Sequence, residues 1–147
     1  MVQRSPCPSD GAAAPVYSPD ALQEALTDAR LVVLAVPLTD QTRGLIGAAE
    51  LAAIADDGIL INVARGPVLE TAPLLEALEA DTLRGAGLDV FDEEPLPANS
   101  PLWDREDVFL TPHCAGTTEK YGRRALEIIL EEYRRWVDGE EPQYRIV

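Results

Sequence analysis

Gly58-Ile-Leu-Ile-Asn-Val63 is an apolar stretch with one amide and no charge, set between Asp56-Asp57 and Ala64-Arg65-Gly66. A run this short and this apolar predicts a strand of a parallel sheet, covered on both faces. Leu31-Val-Val-Leu-Ala-Val36, stopped by Pro37, has the same character, as do Gly85-Ala-Gly-Leu-Asp-Val90 and the shorter Val108-Phe-Leu110. Helical patterns fall between them. One is expected over 18–29, with Ser18 as N-cap, Pro19 in the first turn, and Leu22, Ala25, Leu26 and Ala29 on one face. Others are expected over 48–55, over 71–80 with Leu74, Leu75 and Leu78 inward, and over 117–137. Alternation of apolar strands with helices predicts an α/β fold, a parallel sheet with helices on both faces.

At 147 residues the chain is long enough for one domain with a real core. The longest apolar run, Leu31 to Pro37, is far short of the roughly 20 residues a membrane helix needs. The first residues, Met-Val-Gln-Arg-Ser-Pro, carry no signal-peptide core. Two cysteines, Cys7 and Cys114, make neither a disulfide framework nor a zinc site, and a reduced, cytoplasmic protein is expected. The net charge of −14 opposes binding to nucleic acid or to an anionic membrane surface. Eleven Arg and a single Lys, Lys120, stand against 26 acids, a balance expected of a halophilic protein in which salt screens self-repulsion.

Ligands of open parallel sheets bind beyond the carboxyl ends of the strands. After the 58–63 run comes Arg65, after 85–90 come Asp92, Glu93 and Glu94, and after 108–110 comes His113, the only histidine. An Arg, a carboxylate cluster and a His are thereby expected on one sheet edge. Cys114 beside His113 is not expected to form a thiol dyad, because neighbours in extended chain point to opposite faces. The Glu pairs 131–132 and 140–141 lack the spacing of a metal site, and no metal is expected.

Asn62-Val-Ala-Arg-Gly66, Gly87-Leu-Asp-Val-Phe-Asp-Glu-Glu-Pro95 and Thr111-Pro-His-Cys-Ala-Gly116 resemble the signature blocks of the D-isomer-specific 2-hydroxyacid dehydrogenases. Val36-Pro37-Leu38-Thr39 with Thr42-Arg43-Gly44 resembles a fourth block. The resemblance covers roughly 17–147. It implies a Rossmann-like fold, NAD or NADP as cofactor, a small 2-oxo or 2-hydroxy acid as substrate, and a homodimeric parent. Carried over by position, it implies Arg65, Glu94 and His113 as catalytic residues, and Val36, Pro37, Thr42, Val63, Ala64, Asp89 and Gly116 as nucleotide contacts. Those residue types suit the chemistry. Arg65 offers a fork of donors to a carboxylate and a ketone. A protonated His113 can donate to the ketone oxygen, and Glu94 can hold the imidazolium, since a nearby anion favours charge. Pro95 is expected to fix the Glu94 backbone, while Asp92 and Glu93 are expected to be solvated charges.

The family's Gly-x-Gly-x-x-Gly phosphate loop does not occur in this sequence; Gly85-Ala-Gly87 continues as Leu88-Asp89-Val90. The expected organisation is therefore incomplete, without the first strand–helix unit and the substrate domain. Residues 1–16 are expected as a loop and remnant of the second strand, 17–116 as a partial dinucleotide-binding domain, and 117–147 as a helix and tail returning to the substrate domain. Arg4-Ser5, where a ribose-binding acid would stand, favours NADP. In the 117–137 helix, Tyr121, Ala125, Ile128, Ile129 and Trp136 form one apolar stripe and Leu126, Leu130, Tyr133 and Val137 another, so cover on several sides is expected. The functional expectation is a dehydrogenase that is weak or inactive as this chain. The alternative is a non-catalytic remnant or binding module that keeps the fold for protein–protein contact.

The charge balance makes a direct prediction. The Debye length is about 30 Å at 0.01 M salt and about 3 Å at 1 M, so repulsions that sum over the domain at low salt vanish at high salt. The melting midpoint by circular dichroism should rise markedly from about 0.05 M to about 2 M KCl. A flat or falling midpoint would remove the halophilic reading.

Overall fold

The computed structural model describes residues 17–144; the segment 1–16, with Arg4 and Ser5, lies outside them. Four strands, β1 (Leu31–Leu34), β2 (Ile59–Asn62), β3 (Gly85–Leu88) and β4 (Val108–Leu110), form one parallel sheet in chain order. Val32 aligns with Leu60, Leu60 with Ala86, and Ala86 with Val108. Two residues further along, Leu34, Asn62, Leu88 and Leu110 are aligned. The connections carry α1 (Leu22–Leu26, before β1), α2 (Ala48–Leu51) and α3 (Thr71–Glu79). The chain divides into two compact units between His113 and Cys114.

Among the described residues of the first unit, helices cover one face of the sheet rather than both. Leu26 of α1, Leu51 of α2, and Leu74 and Leu78 of α3 share a core with Val32, Leu34, Leu60, Ala86 and Leu88. The alternate residues look away from it: Leu31 is 60% exposed, Val33 52% and Phe109 72%. The physical reason is the strand order. Right-handed crossovers that always step in the same direction return on the same side of the sheet. An unbroken apolar run is thus not, in this unit, a strand covered twice.

Two local expectations shift. The 18–29 helix is a 3-10 turn, Pro19–Ala21, followed by the five residues of α1, and the Ser18 side chain caps nothing. The Thr27 hydroxyl donates to the Gln23 carbonyl, and Asp28 turns left-handed at φ 58°, which ends the helix. The 48–55 helix is only four residues long, its first turn fixed by the Glu50 carboxylate accepting from the Gly47 N–H at 3.1 Å.

The second unit contains α4 (Tyr121–Asp138), ended by Gly139 at φ 73°, a left-handed cap that glycine adopts without penalty. Its apolar side chains are uncovered: Leu126, Ile129, Leu130, Tyr133, Trp136 and Val137 are all exposed. Among the described residues no helix is long and apolar enough to cross a membrane.

One-sided cover predicts unequal responses on the same sheet. Leu60→Ala, at a fully buried position, should cost about 2–5 kcal/mol of unfolding free energy in urea titrations. Val33→Ala, on the open face, should change it by less than about 1 kcal/mol. Equal losses would mean that both faces are covered in solution.

Candidate active site

The carboxyl ends of the strands lie on one edge, and the polar side chains collect there. Asn62, the last residue of β2, is only 1% exposed. Its amide folds the chain that follows: Oδ1 accepts from the Ala64 N–H at 3.0 Å and Nδ2 donates to the Arg65 carbonyl at 3.1 Å. Arg65 leaves this turn in extended conformation with its side chain exposed. One guanidinium nitrogen donates to the Ala64 carbonyl at 2.6 Å, which holds the head at the strand end.

His113 and Glu94 meet directly. The imidazole Nδ1 lies 2.7 Å from Glu94 Oε2, with the two side chains 46% and 35% exposed. The other carboxylate oxygen, Oε1, accepts from the Phe91 N–H at 2.9 Å. Two bonds of different origin thus aim one carboxylate, whereas the sequence suggested Pro95 alone; the Glu94–Pro95 peptide is cis. The His113 hydrogen bond, and after it the Phe91 amide, hold the Glu94 carboxyl below the usual range, and the Arg65 charge contributes in the same sense. His113 and Glu94 are therefore brought together, and Arg65 acts on the pair through its charge. His113 sits at φ 53°, a left-handed conformation uncommon for a residue with a side chain, and its N–H donates to the Thr111 carbonyl.

Asp89 follows β3 and is buried. Its Oδ1 accepts from the Thr111 hydroxyl at 2.5 Å, and its N–H donates to the Asn62 carbonyl. Val36, Pro37, Val63, Ala64 and Arg65 line a cleft of about 450 Å³ with Ala35 and Leu38, at the ends of β1 and β2. Thr42 closes the preceding turn: its hydroxyl donates to the Pro37 carbonyl at 2.7 Å and accepts from the Thr39 N–H at 2.8 Å. Gly116 belongs to the second unit, and a Cβ built on it would meet nothing.

Several positioning side chains were not expected. Asn62 had a signal in the sequence, the single amide inside an apolar run. Thr111 had none, because its partner lies 22 residues away. Asp92, expected to be a solvated charge, accepts from the Thr71 hydroxyl at 3.0 Å.

Residues 1–115 match the NAD-binding domain of the D-isomer-specific 2-hydroxyacid dehydrogenases. The chain belongs to that family. A glyoxylate/hydroxypyruvate reductase B from Serratia proteamaculans (strain 568) is 43% identical over 103 residues, 69% of this chain and 32% of that protein. The D-isomer-specific 2-hydroxyacid dehydrogenase of Xanthobacter autotrophicus Py2, solved with NADPH and MES, superposes with a TM-score of 0.89 at 38% identity, covering 99% of this chain and 59% of that one. An NADPH-dependent glyoxylate/hydroxypyruvate reductase from Sinorhizobium meliloti, solved with NADP and sulfate, gives 0.86 at 30%, covering 99% and 46%. This chain thus spans about a third to three fifths of the relatives it matches.

The lowered Glu94 carboxyl fixes the sign of a pH effect. Its contribution to stability is fully present above the ordinary carboxylate value and is lost as pH falls through the depressed one. Followed through the Phe91 amide in nitrogen-15 spectra, Glu94 should titrate below the ordinary value of about 4.3. His113→Gln should move that midpoint upward; an unmoved midpoint would mean that the imidazole contributes nothing.

Proposed function

We propose that these residues form the catalytic and nicotinamide-binding half of an NAD(P)-dependent oxidoreductase that interconverts 2-oxo and 2-hydroxy acids. The observation that carries this reading is the His113–Glu94 pair at 2.7 Å, with the charge of Arg65 felt at Glu94. With Nδ1 engaged by Glu94, His113 presents Nε2 to substrate as the proton donor for a ketone oxygen. Glu94 stabilises the imidazolium and fixes the ring. Arg65, tethered through one nitrogen, turns its remaining donors to the substrate carboxylate.

The cleft fits a flat cofactor. Its walls at Val36, Pro37, Val63 and Ala64 suit an aromatic ring, and Asp89 places a buried acceptor at the next strand end. When bound, NADH or NADPH would supply the hydride that reduces C2 of the 2-oxo acid. Thr42 shapes the cleft wall through the 37–42 turn. Glyoxylate and hydroxypyruvate, named for the relatives, are the substrates to try first. We place the parent protein, a homodimer, in a reducing, cytoplasmic and salt-rich setting, in keeping with the acid excess.

A second reading, a non-catalytic module for protein–protein contact, is favoured by the uncovered apolar side of α4. NADPH and His113 separate the two. On adding NADPH, the amides of Val36, Val63, Ala64 and Asp89 should shift together. Oxidation of NADPH with glyoxylate at 340 nm should proceed at no more than trace rate in the 147 residues alone. Without a phosphate loop to orient the cofactor, part of the roughly 7–11 kcal/mol available from orientation is lost. His113→Ala should abolish that trace. Absence of both the shifts and the turnover would leave the module reading, and turnover indifferent to His113→Ala would remove the acid–base assignment.

A further inference from the structure

The geometry points to Thr71 and Asp92 as positioning residues, a side-chain clamp that holds the loop bearing Glu94 against the segment bearing Arg65. This rests on the proposed roles of Glu94 and His113, and three observations carry it. First, Thr71, the first residue of α3, donates its hydroxyl to Asp92 Oδ2 at 3.0 Å across 21 residues of chain. Second, the two segments already touch through backbone. A Cβ placed on Gly66 would lie 2.0 Å from the Phe91 carbonyl and 2.4 Å from the Asp92 nitrogen, so only glycine permits this approach. Third, the N–H of Phe91, the residue just before Asp92, is the group that binds Glu94 Oε1. The clamp therefore acts on Glu94 through one peptide.

The chemistry of the clamp is suited to its place. Asp92 accepts a neutral hydroxyl rather than a cation, so it adds no positive charge beside Glu94, where Arg65 and His113 already supply it. Its carboxylate meets the first residue of a nine-residue helix, where the helix dipole favours an anion. The backbone approach at Gly66 sets how close the loop comes. The Thr71–Asp92 bond sets its lateral position, which the approach alone leaves free.

The test uses the full 147-residue chain labelled with nitrogen-15 and needs no turnover, so a failed activity assay does not bear on it. The pH titration and hydrogen exchange of the Phe91 amide are measured in the parent, Thr71→Val, Thr71→Ser and Thr82→Val. Thr71→Val deletes the donor at nearly constant volume. It should raise the Glu94 midpoint seen at Phe91 by a few tenths of a pH unit and speed exchange of that amide severalfold. Thr71→Ser restores the hydroxyl and should restore both. Thr82→Val removes a comparable hydroxyl bond, to the Ala77 carbonyl, from the other end of α3, and should leave Phe91 unchanged. If Thr71→Val leaves both readouts at parent values, or if Thr82→Val moves them equally, the clamp has no positioning role and the proposal is overturned.

Discussion

Parallel pairing of β1–β4 in chain order constrains the first unit twice. Each strand must be reached by a crossover, and every crossover steps the same way, so the helices share one face and the core is one-sided. Each strand also leaves the sheet at the same edge. Arg65, Asp89 and the loop with Glu94, together with His113, follow three adjacent strands. Strands in a sheet are spaced about 4.8 Å apart, so side chains only a few residues beyond adjacent strand ends are within reach of one another. Proximity of the proposed catalytic groups is a by-product of sheet topology. Their orientation is a separate matter, settled by hydrogen bonds in the turns.

Those turns are held by buried or half-buried polar side chains working in relay. Asn62 fixes the exit of β2 and, through its carbonyl, accepts from Asp89 at the exit of β3. Asp89 in turn receives the Thr111 hydroxyl at the exit of β4. Three strand ends are thus joined, β2 to β3 through backbone and β3 to β4 through the Asp89 and Thr111 side chains. A buried polar group is costly unless bonded, so each link also pins its neighbour.

What could be read from the sequence follows the range of the interactions involved. β4 was legible to the residue, and the other strands to within two residues at their carboxyl ends, because an apolar run between turn residues is a local signal. Arg65, the carboxylates at 92–94 and His113 were expected on one edge because the strand ends were legible, and the choice of Glu94 among the three acids came from the family resemblance. The cover of the sheet was not: Leu31 and Val33 are as apolar as Val32 and Leu34, and nothing local says which pair is buried. Thr71, Asp92 and Thr111 were invisible for a related reason. Each is an ordinary polar residue until a partner 21 or 22 residues away reaches it. The early end of α1 is intermediate, since Thr27 is a weak helix former but the left-handed turn at Asp28 appears only in the structure.

The backbone of His113 carries a conformational cost, set against the hydrogen bond its side chain makes to Glu94. A left-handed residue with a Cβ is disfavoured relative to glycine or asparagine. Backbone preference alone would therefore favour one of those two at this position. A histidine that persists there is held by what the imidazole does. Position 113 is thus a site where backbone preference and the proposed chemistry pull in opposite directions, and stabilised descendants of this chain should be screened at that residue before any other.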